Sequence, residues 1–319
     1  MPSPVVVAEV VRSGFVEGHH HGSVVALDSD GRVAWSVGDV ESPVLPRSSN
    51  KPLQALAMVR LGLDLPPDLL ALACASHSGE AFHLDGVRRI LGLAGLDESA
   101  LQTPADLPLD EATRTAALRE GAEPSSIAMN CSGKHAAMLL TCVTNDWDTA
   151  TYLSPEHPLQ QGITATFAEL TGEPVAVTAV DGCGAPLLST SLTGLARGFR
   201  ALAVASEGPE QRVAEAIRAY PAYVSGSTRD ELRLLQAVPG AIGKAGAEAC
   251  HVVALRDGRA FALKIDDGGA RARPVVMAAA LRRAGVSTEP GVDGAAVDTT
   301  GEAPLLGGGL RVGEVRAAF

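Results

Sequence analysis

The chain has 319 residues, 46% of them hydrophobic and 20% charged, enough for a large buried core and too apolar to stay disordered. Its formal net charge of −11 and pI near 5.2 argue against nucleic acid or an anionic membrane surface as a partner. No apolar run is long enough to span a bilayer, the opening MPSPVVVAEVVRSG lacks the regions of an export signal, and five scattered cysteines (Cys74, Cys131, Cys142, Cys183, Cys250) suit a reducing compartment. A cytoplasmic protein is expected.

In chain order, VVVAEVV (Val5 to Val11), SVVALD (Ser23 to Asp28) and RVAWSVG (Arg32 to Gly38) are β-branched and read as strands, with Asp30-Gly31 turning between the last two. The intervening His19, His20 and His21 resemble a metal tract, but their position between strands favours a loop. From about residue 50 to 238 the apolar spacing becomes helical, in AFHLDGVRRILGLAG, KHAAMLLTCV, PLQQGITATFAEL and EQRVAEAIRAY. CHVVALRDGRAFALKI then returns to two strands around Asp257-Gly258, and PVVMAAALRRAG is a helix. The glycines at 307–309 lack a following Gly-Lys-Ser and read as a bend. Strands, then helices, then strands is not the order of alternating βαβ units. It predicts an α+β fold, an antiparallel sheet assembled from both chain ends (about 1–40 and 240–319) around an inserted helical part (about 50–238). The chain 1–319 is expected to act as a single catalytic unit.

Four stretches carry candidate chemistry. In PRSSNKPLQ, Ser48 precedes Lys51 by three residues. Ser48 is either a helix cap or a nucleophile beside its base. Pro52 disfavours the cap, because residue 52 would have to donate the first intrahelical hydrogen bond; Asn50 is the better cap. A lysine serves as base only when neutral, which near pH 7 means a shift of about three units, or about 4 kcal/mol. Burial and a second cation both favour that shift. CASHSGE places Ser76 in a small-residue turn. MNCSGKHAAML sets Cys131 one turn before Lys134 and His135, either as a buried thiol with a solvated lysine or as a thiolate or metal site that Cys183 of VDGCGAP could complete. GAIGKAGAE offers Lys244 just before a strand, as a loop lysine or as the second cation.

Together VEGHHHG, PRSSNKPLQ, CASHSGE, NCSGKHAAML, DGCGAP and IGKAGAE, in this order over residues 16–248, resemble the rhizobial-type (asparaginase II-like) L-asparaginases, which are unrelated to the threonine-nucleophile asparaginases. The resemblance implies a serine β-lactamase-like fold and hydrolysis of L-asparagine to L-aspartate and ammonia, usually by a homodimer. It pairs Ser48 with Lys51 and Ser76 with Lys244 as catalytic residues, and puts Arg47, Asp181 and His135 at the substrate. Cys131, Lys134 and Cys183 fall where the family binds one zinc ion, which supports substrate binding rather than the hydrolysis. Three features depart from the pattern: the segment Tyr223 to Leu235 matches poorly, Gly184 stands where some relatives have asparagine, and the chain after about Gly285 maps onto nothing. The alternatives are a β-lactamase or peptidase, against which no Ser-Asp-Asn lies between Ser48 and Lys244, and a zinc- or redox-responsive binding protein without turnover.

Overall fold

The computed structural model describes residues 4–319. These form two compact units, one of residues 4–49, 190–204 and 233–319, the other of residues 50–189 and 205–232.

The first unit is built on an eight-stranded antiparallel sheet. Its strands are β1 (Val6–Arg12), β2 (Phe15–Leu27), β3 (Val33–Val37), β4 (Ile242–Ala245), β5 (Cys250–Ala254), β6 (Ala260–Ile265), β7 (Pro304–Gly307) and β8 (Leu310–Ala317). They lie in the order β4-β5-β6-β2-β1-β8-β7, with β3 also on β2. Both chain ends therefore supply the sheet, as the strand–helix–strand order predicts. β2 runs for 13 residues, pairing β1 along its first half and β3 and β6 along its second. The histidine tract lies inside this strand, so the expected loop is corrected. Alternation leaves His20 buried while His19 and His21 are more open, a pattern that a strand accommodates without any metal.

Val24–Leu27 of β2 and Ala260–Leu263 of β6 are buried without alternation, which means that both faces are covered. Helix Leu192–Val204 packs on β2, β5 and β6, and helix Ala272–Arg283 on β6, β8 and β1. Val24, Ala26, Phe261 and Leu263 share one apolar cluster with Val275, Val276 and Ala280 of the latter helix. The end of the chain, read as a bend and unmapped, is the hairpin β7-β8. Its turn is Gly308-Gly309, with φ of +58° and +82°, a left-handed pair that glycine adopts without a Cβ penalty.

The second unit is helical. Helices Ala81–Leu93, Ser132–Thr144, Pro158–Thr171 and Gly208–Ala219 coincide with the predicted apolar periodicities. Helix Ser132–Thr144 is buried continuously from Ser132 to Cys142 and packs against Lys51–Arg60, Pro67–Ala73 and Ala81–Leu93. Besides its apolar residues it buries Ser132, Lys134, His135 and Thr141, polar groups that need partners in the interior. Among the described residues, no helix is long and apolar enough to cross a membrane.

Candidate active site

Helix Lys51–Arg60 follows a 3-10 turn at Arg47–Asn50, with Pro52 in its first turn. Asn50 occupies the cap position, yet its side chain makes no capping bond. The helix instead starts on a wholly buried lysine. Lys51 Nζ lies 2.5 Å from the Ala75 carbonyl, 3.0 Å from Ser76 Oγ and 3.0 Å from Cys131 Sγ. Among the described residues, these hydrogen-bond partners are a carbonyl, a hydroxyl and a thiol, with no carboxylate.

Ser76 sits in the loop after helix Pro67–Ala73, its N–H bonded to the Val224 carbonyl. His77 beside it is fully buried, with Nε2 2.8 Å from Ser132 Oγ. Burial first, then the charges of His83 and Lys51, hold this imidazole well below its ordinary value.

On the far side of Cys131, Lys134 Nζ is 3.3 Å from Cys183 Sγ. Cys183 lies in the tight turn Asp181–Ala185, closed by the Asp181 N–H to the Ala185 carbonyl and by the Gly184 N–H to the Asp181 carbonyl. Gly184 has φ +87°, a conformation open mainly to glycine and asparagine. The hydrogen bond from Cys131 holds Cys183 far below the ordinary thiol range, against burial and with help from Lys134. The same bond, then burial, raises Cys131. Burial pulls Lys134 down, but the negative charge of Cys183 and Cys131 leaves it above its usual value.

His135 is buried and its Nδ1 is 2.7 Å from the Tyr152 hydroxyl. That hydroxyl accepts the Gln102 N–H, so its own proton points to Nδ1 and the remaining imidazole hydrogen is on Nε2. Burial lowers the His135 pKa, opposed first by a hydrogen bond to the Cys183 side chain and then by that side chain's charge.

Among the described residues, no group of three or more His, Cys, Asp or Glu side chains converges as a metal site. Cys131 and Cys183 supply two adjacent sulfurs, and Lys134 a nitrogen once deprotonated. This is a donor set of the N/S kind that zinc takes.

In the sheet unit, Ser48 is half-buried within the 3-10 turn and Lys244 is fully buried on β4, its Nζ 2.6 Å from the Ala245 carbonyl. Arg47 has φ +52°, and Glu248 and Ala249 have φ +57° and +50°, conformations uncommon for residues with a Cβ. The Arg47 guanidinium is 3.6 Å from the Glu248 carboxylate, and Ser49 Oγ donates to the Cys250 carbonyl. His20 Nδ1 is 2.6 Å from Asp267 and its Nε2 accepts from Arg271, so both ring nitrogens are partnered and the side chain is not part of the candidate chemistry.

The family model for L-asparaginase II matches residues 8–317. The chain belongs to the L-asparaginase II family. Comparison with curated proteins returned no match. Solved structures similar to this family member include a β-lactamase from Mycobacterium bovis, 16% identical with a TM-score of 0.45 over 82% of this chain and 94% of the other. Another is EstCE1, a hydrolase with promiscuous acyltransferase activity, 12% identical with a TM-score of 0.41 over 78% and 91%. A third is Mglu in its native form, 15% identical with a TM-score of 0.37 over 82% and 62%.

The structure thus places Lys51 against Ser76 and Cys131, and Lys134 against Cys183. The 25-residue separation of Lys51 from Ser76 carries no periodic signal, and the family resemblance had paired Ser76 with Lys244. Sequence reasoning missed the links made by His77, Tyr152 and Glu248. A histidine directly after Ser76 was the one visible sign of the first.

Proposed function

We propose that this L-asparaginase II family member hydrolyses L-asparagine to L-aspartate and ammonia through a serine served by a buried lysine. The observation that carries the reading is the Lys51 amine, enclosed and 3.0 Å from Ser76 Oγ, with only neutral or thiol partners around it. Composition supports it. Of the 26 basic side chains only four are lysines, at 51, 134, 244 and 264, and the first three are 0–1% exposed. Arginine cannot give up its proton at physiological pH, whereas a buried lysine can. A chain that uses arginine for nearly all of its positive surface charge has kept lysine in the interior, where an exchangeable proton is useful.

In the proposed reaction Ser48 attacks the side-chain amide carbon and Lys51, three residues on, takes the hydroxyl proton. Ser76, hydrogen-bonded to that amine, relays the proton towards the departing ammonia. Water then hydrolyses the aspartyl ester. The family assigns Lys244 as the second cation of the mechanism and Arg47 and Asp181 to the substrate's charged groups. The family resemblance also puts His135, buried beside Cys183 and Tyr152, at the substrate. Cys131, Lys134 and Cys183 would hold the zinc ion, which when bound supplies Lewis acidity for substrate binding. A homodimer in a reducing compartment, suited to five free thiols, completes the reading.

A coupled ammonia assay over a panel of linear amides, with and without chelator, tests it. Ser48→Ala and Lys51→Met should each lower turnover of asparagine by about 10³-fold or more while circular dichroism stays native. Chelation should raise KM more than it lowers kcat. Full activity in Ser48→Ala would remove that serine as nucleophile, and no ammonia from any amide with the unaltered protein would overturn the reading.

A further inference from the structure

We propose that His77 is a positioning residue, holding the Ser76 loop and the Cys131 helix start in register so that the Lys51 amine is aimed. The inference rests on the reading of Lys51 and Ser76 given above. A lysine side chain is flexible, and its amine is placed only as well as its partners are placed relative to one another. Those partners come from two separate stretches. Ala75 and Ser76 belong to the loop after helix Pro67–Ala73, whereas Cys131 precedes helix Ser132–Thr144.

His77 joins the two stretches twice. Its backbone N–H donates to the Asn130 carbonyl at 3.0 Å, and its Nε2 lies 2.8 Å from Ser132 Oγ. The proton positions follow from the neighbours. Ser132 Oγ donates its only hydrogen to the Ile127 carbonyl at 2.7 Å, so it must accept from His77 Nε2–H. His77 Nδ1 then has a free lone pair, which accepts the Gly79 N–H at 3.2 Å. Both ring nitrogens are satisfied in one neutral tautomer, and the ring is 0% exposed. Lys51, Ser76, His77, Ser132 and Cys131 thereby form a closed circuit of bonds that returns to the same amine. The imidazole has no spare nitrogen for substrate, so it acts through its neighbours and not as an acid or base.

The amide side chains separate its two bonds. Glutamine can present an N–H where Nε2 stands, whereas asparagine can mimic only Nδ1 and falls short of Ser132. His77→Gln should keep kcat within about fivefold of the unaltered enzyme, and His77→Asn should lose about a hundredfold in kcat with little change in KM, the scale of a 1 Å misplacement. Each variant is also prepared with lysine 13C-labelled at Cε. With four lysines in the chain, the Lys51 signal can be assigned by comparison with Lys51→Met. That signal should shift in His77→Asn and hold its place in His77→Gln. If the glutamine variant is as impaired as the asparagine variant, or if asparagine leaves both kcat and the Lys51 signal unchanged, the proposal falls. The spectra decide the role of His77 even where the amide panel yields no ammonia, so failure of this inference and failure of the asparaginase reading are told apart.

Discussion

His83 shows how a single buried side chain ties this protein's stability to pH. Its ring stacks on His77 at 5.2 Å, its Nε2 bonds the Ala222 carbonyl, and it is wholly enclosed. Burial, only partly offset by that carbonyl and by Glu80, lowers its pKa from 6.5 to about 4. Below 6.5 the unfolded chain therefore binds a proton that the folded one refuses. Stability is complete above that value and drains away as the pH falls towards 4. From about pH 7.5 to about pH 4.5 this one group should cost about 2.5 kcal/mol. His77, shifted in the same direction, adds to it. Urea unfolding at the two pH values should show the loss, and His83→Gln, which keeps a donor for Ala222 but cannot titrate, should recover a large part of it. An equal acid loss in that variant would acquit His83. None of this was visible from spacing, because a histidine in an amphipathic helix reads the same whether its ring meets water or another histidine.

At the scale of elements, the candidate site depends on how closely helix Ser132–Thr144 approaches helix Pro67–Ala73. Gly133 lies between Cys131 and Lys134, and a Cβ there would meet the Leu72 carbonyl oxygen at 2.7 Å and Leu72 Cγ at 2.8 Å. Two effects compete in Gly133→Ala. Alanine is favoured over glycine within a helix by up to about 1 kcal/mol, but overpacking against a rigid backbone costs about 1–3 kcal/mol. The clash should win. The variant should melt at lower temperature, with activity falling as the thiol and lysine are pushed off the Ser76 loop; a higher melting temperature would refute this. The same element shows what was legible. Its apolar spacing and the Cys-x-x-Lys motif were plain in the sequence, and the helix formed where expected. The reason for its glycine lies in a helix some sixty residues earlier. The β7-β8 hairpin was missed for a different reason: Leu310–Ala317 carries two arginines and a glutamate, which dilute the strand signal, and the glycines look like punctuation until their positive φ values reveal a two-residue turn.

For the molecule as a whole, the α+β order of strands, helices and strands was readable because each periodicity is local, whereas the partner of each strand was not. β1 pairs with β8, matching Ala8 to Ala317 and Arg12 to Gly313, across nearly the full chain. Val315 of β8 enters the same apolar cluster as Val7 and Val10. A chain ending at Ala303 should therefore leave β1 an open edge and lose cooperative melting of the sheet unit, with aggregation in its place. A truncated protein that melts in one sharp step at the original temperature would show the last hairpin to be dispensable. The long-range pairing also has a consequence for biosynthesis. Most of the helical unit is one uninterrupted stretch that leaves the ribosome well before the last strands, while the opening strand, paired with β2 from the start, must wait for the final residues to be translated before it gains its second neighbour. The lysine and thiols at the heart of the helices can be in place before the sheet closes, and the waiting N-terminal strand is the segment on which a chaperone would have most to do.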